Sequence, residues 1–376
     1  KYLLAVTIRF VGDEEWKLHL VAGLFLLLGT VAWGFVAMRW TGKPAWLAAM
    51  LVWSPFFLPG QNIMLEVPVF CLAGWGIYFL SDGWESDSIR SSLLAGLFIG
   101  LAILTKYSAG VLLPVLVAGA IVSGKYRTLV GLIPPVVLIA LWCLHNSVVY
   151  GEVHLTSHGN LFKPHQWDQR TLIVLRTIGG VSFLWPLFWI SQPPTTVGRL
   201  TVAGSIVGSA LLAGLDLLVV RRLFEKDGLV PLPIQEVHFV VMTFFGALTL
   251  LLPTLRSLHQ AITNFHDWRS HKLDRTLEIW ILGMLVFNVA CTPFNAVRHL
   301  LLALIPMTFL AIRSVEGIRT RVPTICLIVS SFLGFTLAAA DYEMAGTYRH
   351  LAQTRLRQDI ARGETVWFTG AWGFAY

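Results

Sequence analysis

Long apolar runs, separated by short polar stretches, dominate the pattern of this chain. Within each run the hydrophobic residues are continuous and do not alternate with polar ones, which favours α-helices over the strands of a membrane barrel. Many runs approach the roughly 20 residues that a helix needs to cross a bilayer. About twelve runs occur, near 18–38, 44–60, 62–80, 92–105, 107–123, 128–145, 171–190, 200–220, 236–254, 277–292, 298–314 and 322–340. The pattern predicts an all-α, polytopic membrane protein with about 11–12 transmembrane helices.

The composition supports the membrane location. Of the 376 residues, 56% are hydrophobic and 13% are charged, whereas an average soluble domain has about 25% charged residues. The net charge of +7 needs no nucleic-acid partner, because basic residues at cytoplasmic helix ends supply it. The four cysteines lie in apolar runs and form no C-x-x-C pair, so neither a disulfide framework nor a cysteine metal site is indicated.

The two ends of the chain carry segments that do not span a membrane. Tyr2–Gly12 is too short to cross a bilayer and contains Arg9, so we expect an interfacial helix there. The stretch from Thr365 onward has the β-favouring residues of a strand that is just beginning. We therefore expect a fragment at both ends, with a transmembrane domain over 1–340 and the start of an outer-face segment over 341–376.

Basic loops indicate which side of the membrane is cytoplasmic. If the runs alternate strictly, three short basic loops and the stretch 256–275 fall on one side, which we expect to be cytoplasmic. The short loops are Arg39–Lys43, Gly124–Arg127 and Gly317–Arg321. Arg221 and Arg222 fall on the opposite side. The same alternation brings four segments to the outer face, and these are Gln61–Glu66, Lys106, Asn146–Arg170 and Thr292–Arg298.

Lys106 is the only charge in the 34 residues from Ser91 to Gly124. A lysine inside a bilayer segment costs roughly 2.5–3.5 kcal/mol on insertion scales, which makes it a functional-site candidate. A single helix over this stretch would be about 51 Å long, so we expect two shorter helices with a junction at Thr105–Tyr107. There the ammonium either snorkels to the interface as an anchor or binds a lipid-linked phosphate.

Glu66, Arg298 and His299 are further candidates at helix ends. Glu66 precedes Pro68 by two residues, and proline is tolerated in a first helical turn, so a helix should begin near Glu66. Its carboxylate either favours the positive end of the helix dipole or orients a sugar hydroxyl or a catalytic group. Arg298 is either an interfacial anchor or a bidentate phosphate ligand.

Some polar residues outside the apolar runs are weaker candidates. His154 and His158 have the spacing of one helical face, which suits metal ligation. No helix or partner carboxylate is evident around them or around His165, which favours a solvated loop that shapes the substrate site. Asp13–Glu15 either supplies a general base or merely flanks the first span. We predict no metal or other cofactor, although the sequence does not exclude a divalent metal.

Four motifs follow one another along the chain. They are Phe10-Val-Gly12 with Glu15, Leu65-Glu-Val-Pro68, Gly100-Leu-Ala-Ile-Leu-Thr-Lys-Tyr107 and Arg298-His-Leu-Leu-Leu-Ala-Leu-Ile-Pro306. In this order they resemble the GT-C class of glycosyltransferases, which use polyprenyl-phosphate sugars. The chain is similar to the protein O-mannosyltransferase and lipid A aminoarabinose transferase families from Tyr2 to about Pro306.

The resemblance implies an inverting transfer of a sugar from a polyprenyl-phosphate donor to a protein, lipid or glycan on the outer face. The positions that it assigns to the donor phosphate are Lys106, Tyr107, Arg298 and His299. It matches Glu66 with an acidic position near the catalytic cavity that is usually Asp, and His299 departs from the usual Tyr. It also implies that the principal catalytic acid lies in a first outer loop, upstream of Lys1.

Two other classes of protein remain open. A transporter or lipid flippase would also explain broken helices and an intramembrane cation, although neither an internal repeat nor a series of buried acids is evident. A non-catalytic scaffold would explain the apolar runs but not Lys106. For the transferase we expect a bacterial inner or plasma membrane, an active site that faces outside, and membrane lipids and the sugar donor as partners.

Overall fold

The computed structural model describes residues 2–12, 14–43, 51, 65–153, 167–182, 184–187, 196–226, 232–263, 272–292, 297–313, 321–351, 353–354 and 357–363. Helices dominate these ranges. The α-helices are α1 (Tyr2–Val11), α2 (Glu15–Thr41), α3 (Glu66–Ser86), α4 (Ile89–Thr105), α5 (Leu112–Ser123), α6 (Ile133–Tyr150), α7 (Trp167–Ser182), α8 (Thr196–Lys226), α9 (Pro233–Thr263), α10 (Lys272–Ala290), α11 (Leu301–Arg313), α12 (Arg321–Leu351) and α13 (Arg357–Ala361). The 3₁₀ helices Tyr107–Val111, Tyr126–Leu132 and Val297–Leu300 lead into α5, α6 and α11.

Several of these helices are long and apolar enough to cross a membrane. In the described part of the chain, five segments have both the length and the hydropathy of a full span. They are Trp16–Thr41, Tyr126–Tyr150, Gly198–Phe224, Pro233–Arg256 and Thr324–Met344. Leu211 and Phe332 on such helices are 71% and 66% exposed, as expected for side chains that face lipid. The chain is therefore an all-α, polytopic membrane protein, as predicted.

Helix boundaries agree with the apolar runs at the positions that matter for function. α3 begins at Glu66 and α4 ends at Thr105, so the predicted helix start and the predicted junction are both confirmed. Shorter apolar helices, Ile89–Thr105, Tyr107–Ser123 and Leu301–Arg313, account for three further runs. Apart from Leu51, the run 44–60 lies outside the described residues, as does the strand predicted from Thr365. α12 continues to Leu351, beyond the predicted domain boundary at 340.

A buried helix and a group of aromatic rings form the centre of the bundle. Every residue of α11 from Leu301 to Ile312 is buried. Beside it, the Trp33 ring of α2 lies 6.0 Å from Phe70, 6.2 Å from Trp280 and 6.1 Å from Phe309, between ring centroids. The Trp33 Nε1–H also donates to the carbonyl oxygen of Phe70 at 3.0 Å. Because large aromatic rings bury much apolar area, this group holds α2, α3, α10 and α11 together.

The packing of the helices defines two opposite ends of the bundle. α3 starts at Glu66 and reaches Trp84 after 18 residue steps, which corresponds to about 27 Å at the helical rise. Ser123 at the end of α5, Lys272 at the start of α10 and Arg313 at the end of α11 all lie at the Trp84 end. This distance is close to the roughly 30 Å thickness of the hydrocarbon layer, so the two ends lie at opposite membrane faces.

α7, α8 and α9 form a closely packed group. A Cβ atom at Gly179 of α7 would lie only 1.8 Å from the Met242 carbonyl oxygen of α9, and one at Gly246 of α9 would lie 1.8 Å from the Leu175 carbonyl oxygen of α7. Glycine at both positions thus allows the two backbones to meet. Small residues serve this purpose between membrane helices, where close packing rather than the hydrophobic effect drives association.

Candidate functional site

Glu66 lies at the first residue of α3, where the local sequence favours a helix start. Pro68 occupies the first turn, which suits proline because the amide hydrogen it lacks would have no partner within the helix. Glu66 is buried, with 7% of the whole residue exposed. A carboxylate in this first turn is stabilised by the positive end of the helix dipole. The structure therefore places a buried carboxylate at one end of the bundle.

Lys106 lies in the break between α4 and the 3₁₀ helix Tyr107–Val111. Its backbone is extended, with φ −153° and ψ 122°, while its N–H still donates to the Ala102 carbonyl oxygen at 2.9 Å. The 3₁₀ helix then restarts with the Ala109 N–H donating to the Lys106 carbonyl oxygen at 3.0 Å. The predicted junction is thus a sharp interruption that presents the lysine side chain between two helices.

The two charged side chains meet. Lys106 Nζ lies 2.6 Å from Glu66 Oε1, and the side chains are 22% and 10% exposed. A contact of this length is a charge-assisted hydrogen bond. The sequence predicted that both residues face the same membrane surface, and the structure brings them into direct contact. The pair offsets part of the roughly 2.5–3.5 kcal/mol that a lone lysine costs in a membrane.

Aromatic side chains continue from Lys106 along the outer part of α6. The Trp142 Nε1–H donates to the Tyr107 hydroxyl oxygen at 2.9 Å. The Trp142 ring stacks on His145 with centroids 5.6 Å apart, and Tyr150 contacts His145 edge-on at 6.4 Å. Tyr107, the residue after Lys106, therefore connects the helix break to this group of rings.

Arg170, which the sequence indicated only as the last residue of a loop, positions the end of α10. It is 6% exposed, and its Nη1 donates to the carbonyl oxygens of Val289 at 3.1 Å and Ala290 at 3.4 Å. The last carbonyls of a helix lack partners within the helix, so the guanidinium caps α10. It thereby holds the end of α10 from which the chain continues towards Arg298.

The structure describes only part of the segment that contains Arg298 and His299, the other two predicted phosphate ligands at helix ends. Val297–Leu300 forms a 3₁₀ helix, and His299 within it is half-buried. The side chain of Arg298 lies outside the described part of the chain, so its predicted role stays a prediction. The same holds for Asp13 and for the three histidines of the predicted loop, His154, His158 and His165. Within the described residues, no group of three His, Cys, Asp or Glu side chains could hold a metal ion.

A second ion pair lies inside the membrane and was missed by the sequence analysis. Arg176 of α7 donates through Nε to Asp216 Oδ2 at 2.8 Å, and its Nη2 contacts Asp216 Oδ1. The Thr243 hydroxyl of α9 also donates to Asp216 Oδ2, at 2.5 Å, and the guanidinium lies 4.4 Å from the centre of the Phe239 ring. Asp216 is fully buried. The sequence does contain a signal for this pair. Asp216 is the only charged residue in the run 200–220, and Arg176 is the only one in the run 171–190.

The fold and the site define a polytopic membrane protein with a cation–carboxylate pair at one membrane face. The family model of dolichyl-phosphate-mannose-protein mannosyltransferases matches residues 1–150, which include Glu66, Lys106 and Tyr107. This match confirms the similarity to GT-C glycosyltransferases in that part of the chain, and it supports a membrane glycosyltransferase rather than a transporter. Comparison with curated proteins and with solved structures gave no match.

Proposed function

We propose that this protein is a membrane glycosyltransferase that takes its sugar from a polyprenyl-phosphate donor and transfers it to an acceptor on the outer face. The observation that carries the proposal is the Lys106–Glu66 pair, 2.6 Å apart at one end of the bundle. Both residues lie within the segment that is similar to dolichyl-phosphate-mannose-protein mannosyltransferases. The acceptor is a hydroxyl-bearing protein, lipid or glycan.

Lys106 supplies the positive charge for the donor phosphate in this proposal. An ammonium is an effective point-charge partner for a phosphate, and Lys106 lies where the lipid headgroups meet the end of α4. Glu66 balances this charge while the site is empty and holds the ammonium at the helix break. When the donor binds, its phosphate shares the ammonium with Glu66, and the guanidinium of Arg298 contributes a second, bidentate contact.

The proposed reaction is a displacement at the anomeric carbon. A general base accepts the proton of the acceptor hydroxyl, and the hydroxyl oxygen forms a bond to the anomeric carbon. The bond from that carbon to the phosphate oxygen breaks, and polyprenyl phosphate leaves with the electron pair. Negative charge grows on the phosphate as the bond breaks, so a fixed ammonium stabilises the transition state more than the ground state.

The side of the membrane follows from the basic residues. Arg39, Lys272 and Arg313 lie together at the end of the bundle opposite to Lys106, and basic residues mark the cytoplasmic end of membrane helices. We infer that Lys106 and Glu66 face the outside of a bacterial inner or plasma membrane. A lipid-linked donor suits this location, because nucleotide sugars are charged, soluble molecules of the cytoplasm.

The proposal is tested with the full-length protein in proteoliposomes. A labelled polyprenyl-phosphate sugar is supplied in one set and the corresponding nucleotide sugar in another, and the products are identified by mass spectrometry. We expect label to pass to an acceptor only from the polyprenyl-phosphate donor. Transfer from the nucleotide sugar alone, or movement of the intact donor across the bilayer without transfer, would overturn the proposed function.

A further inference from the structure

A cavity at the end of the bundle opposite to Lys106 has the lining of a phosphate site. Its volume is about 290 Å³, at the lower limit of the roughly 300–1,000 Å³ of small-molecule sites, which suits a group of headgroup size. It lies between the ends of α2, α3, α5, α10 and α11. The lining residues are Arg39, Trp40, Ser81, Trp84, Glu85, Gly119, Ser123, Lys272, Leu273, Thr276 and Arg313.

Lys272 is only weakly held by the described protein atoms that surround the cavity. Lys272 Nζ lies 3.5 Å from the Ser123 carbonyl oxygen, which is the outer limit for a hydrogen bond.

The acidic residues nearby do not fully satisfy the Arg39 guanidinium. Its Nη2 lies 3.3 Å from Asp82 Oδ1 and its Nε 3.4 Å from Glu85 Oε2, whereas charge-assisted hydrogen bonds are normally about 2.7–2.9 Å long. Arg313, in contrast, is well paired, with Nε 2.6 Å from Asp274 Oδ1. Arg39 and Lys272 are therefore the cations that can accept a ligand without breaking a short ion pair.

The start of α10 adds to the positive potential of the cavity. Lys272, Leu273 and Thr276 line the cavity from the first five residues of this 19-residue helix. The N-terminal turn of a helix carries free N–H groups and the positive end of the helix dipole, both of which favour anions. A guanidinium, an ammonium and a helix N-terminus thus lie around one space.

We propose that this cavity binds a phosphate group, and that it does so independently of the glycosyltransferase site on the other membrane face. Basic pockets between membrane helices at the cytoplasmic side bind the headgroups of anionic lipids, and the cavity lies at the level of such headgroups. Arg39 and Lys272 contact the phosphate oxygens. The same chemistry would accept a free phosphate ion, so the experiment separates the two sources.

The test measures the thermal midpoint of the detergent-purified full-length protein during titration with short-chain phosphatidylglycerol, with phosphatidylcholine as the neutral lipid. Sodium phosphate at matched ionic strength is the second arm. We expect phosphatidylglycerol to stabilise the protein and Lys272→Gln to raise the concentration needed about fivefold, the effect of one lysine near an anionic surface. Stabilisation by sodium phosphate with the same dependence on Lys272 would assign the site to free phosphate instead of lipid.

A matched control and a second variant make the result decisive. Lys125→Gln removes a lysine from the same membrane face that does not line the cavity, and it should leave the titration unchanged. Arg39→Gln removes the other weakly paired cation of the cavity lining, and it should also raise the lipid concentration needed. If Lys272→Gln and Arg39→Gln both titrate like the unmodified protein with both probes, the cavity holds water only and the proposal is wrong.

Discussion

At the scale of single residues, Lys106 and Glu66 carry the functional argument. They are 40 positions apart in the sequence and lie in direct contact in the fold. The sequence alone identified each of them, Lys106 as a lone charge in an apolar stretch and Glu66 as a carboxylate at a helix start. Their contact could not be predicted, because it depends on how the start of α3 packs beside the end of α4, and no local pattern records that packing.

Replacing Glu66 distinguishes its effect on the binding of the donor from its effect on the rate of transfer. Glu66→Gln removes the charge that competes with phosphate for Lys106, so we expect the KM for the polyprenyl-phosphate donor to fall several-fold. Because the glutamine no longer holds the ammonium by a charge-assisted bond, kcat should fall by about tenfold or more. A decrease in both constants indicates that an unfavourable contribution to the bound ground state, here the competing carboxylate, was removed. Initial-rate kinetics with varied donor concentration give both values.

The control for this variant is Glu236→Gln. Glu236 also lies in the first turn of a helix and pairs with an arginine, Arg221 Nε, at 2.8 Å. It lies at the same end of the bundle but outside the candidate site, so neither constant should change. Equal changes in the two variants, or a KM that rises in Glu66→Gln, would contradict the role given to Glu66.

At the scale of helices, prediction from the sequence succeeded where the structure of a segment depends on that segment alone. Continuous apolar runs predicted the helices, and Pro68 and Lys106 marked a helix start and a helix break. Contacts between different segments were not predicted. Arg170 capping α10 and the Arg176–Asp216–Thr243 group both join residues from different helices, and the charges involved gave no indication of their partners.

The Arg176–Asp216 pair should act as a structural link between α7 and α8. Asp216→Asn would leave the guanidinium without its counter-charge, and removing one partner of a buried pair typically costs about 3–5 kcal/mol. We therefore expect a clearly lower thermal midpoint for Asp216→Asn in detergent. The double variant Arg176→Met with Asp216→Leu removes both charges and should recover most of the stability. Full stability of Asp216→Asn together with lost transfer would instead assign the pair to catalysis.

Gly179 and Gly180, which are adjacent in α7, allow a direct test of how closely α7 and α9 pack. Gly179→Ala would place a methyl group 1.8 Å from the Met242 carbonyl oxygen, whereas the nearest atom to a Cβ at Gly180 is the flexible Met242 sulfur at 3.7 Å. We expect Gly179→Ala to destabilise the protein by about 1–3 kcal/mol through overpacking. Gly180→Ala should be neutral or slightly stabilising, because alanine favours a helix. Equal thermal midpoints for the two variants would show that α7 and α9 do not meet at Gly179.

At the scale of the whole molecule, the bundle has two chemically different ends. One end carries the Lys106–Glu66 pair, and the other carries a cluster of basic residues around a cavity. The distribution of basic loops in the sequence predicted this separation. The cavity itself could not be predicted, since its lining comes from five helices that are scattered along the chain.

Cysteine labelling tests the proposed orientation. In a background without the four native cysteines, Glu152→Cys lies at the Lys106 end and Arg127→Cys at the opposite end, and both positions are exposed. A maleimide that does not cross membranes should label Glu152→Cys in intact cells and Arg127→Cys only after the membrane is permeabilised. The reverse pattern would place the candidate site on the cytoplasmic side. Labelling of both positions in intact cells would contradict the conclusion that the two ends of the bundle lie at opposite membrane faces.

The most direct test of the central claim is the rate of sugar transfer by the full-length Lys106→Ala variant from a labelled polyprenyl-phosphate donor. Losing a preorganised charge at the leaving group should lower the rate by about 10²-fold or more, while the amount of protein in the membrane stays the same. Lys17→Ala is the control, because Lys17 also pairs with a glutamate, Glu14, at 3.1 Å on the same side of the bundle. We expect loss of transfer in Lys106→Ala and normal transfer in Lys17→Ala. Normal transfer by Lys106→Ala would contradict the proposed role of Lys106.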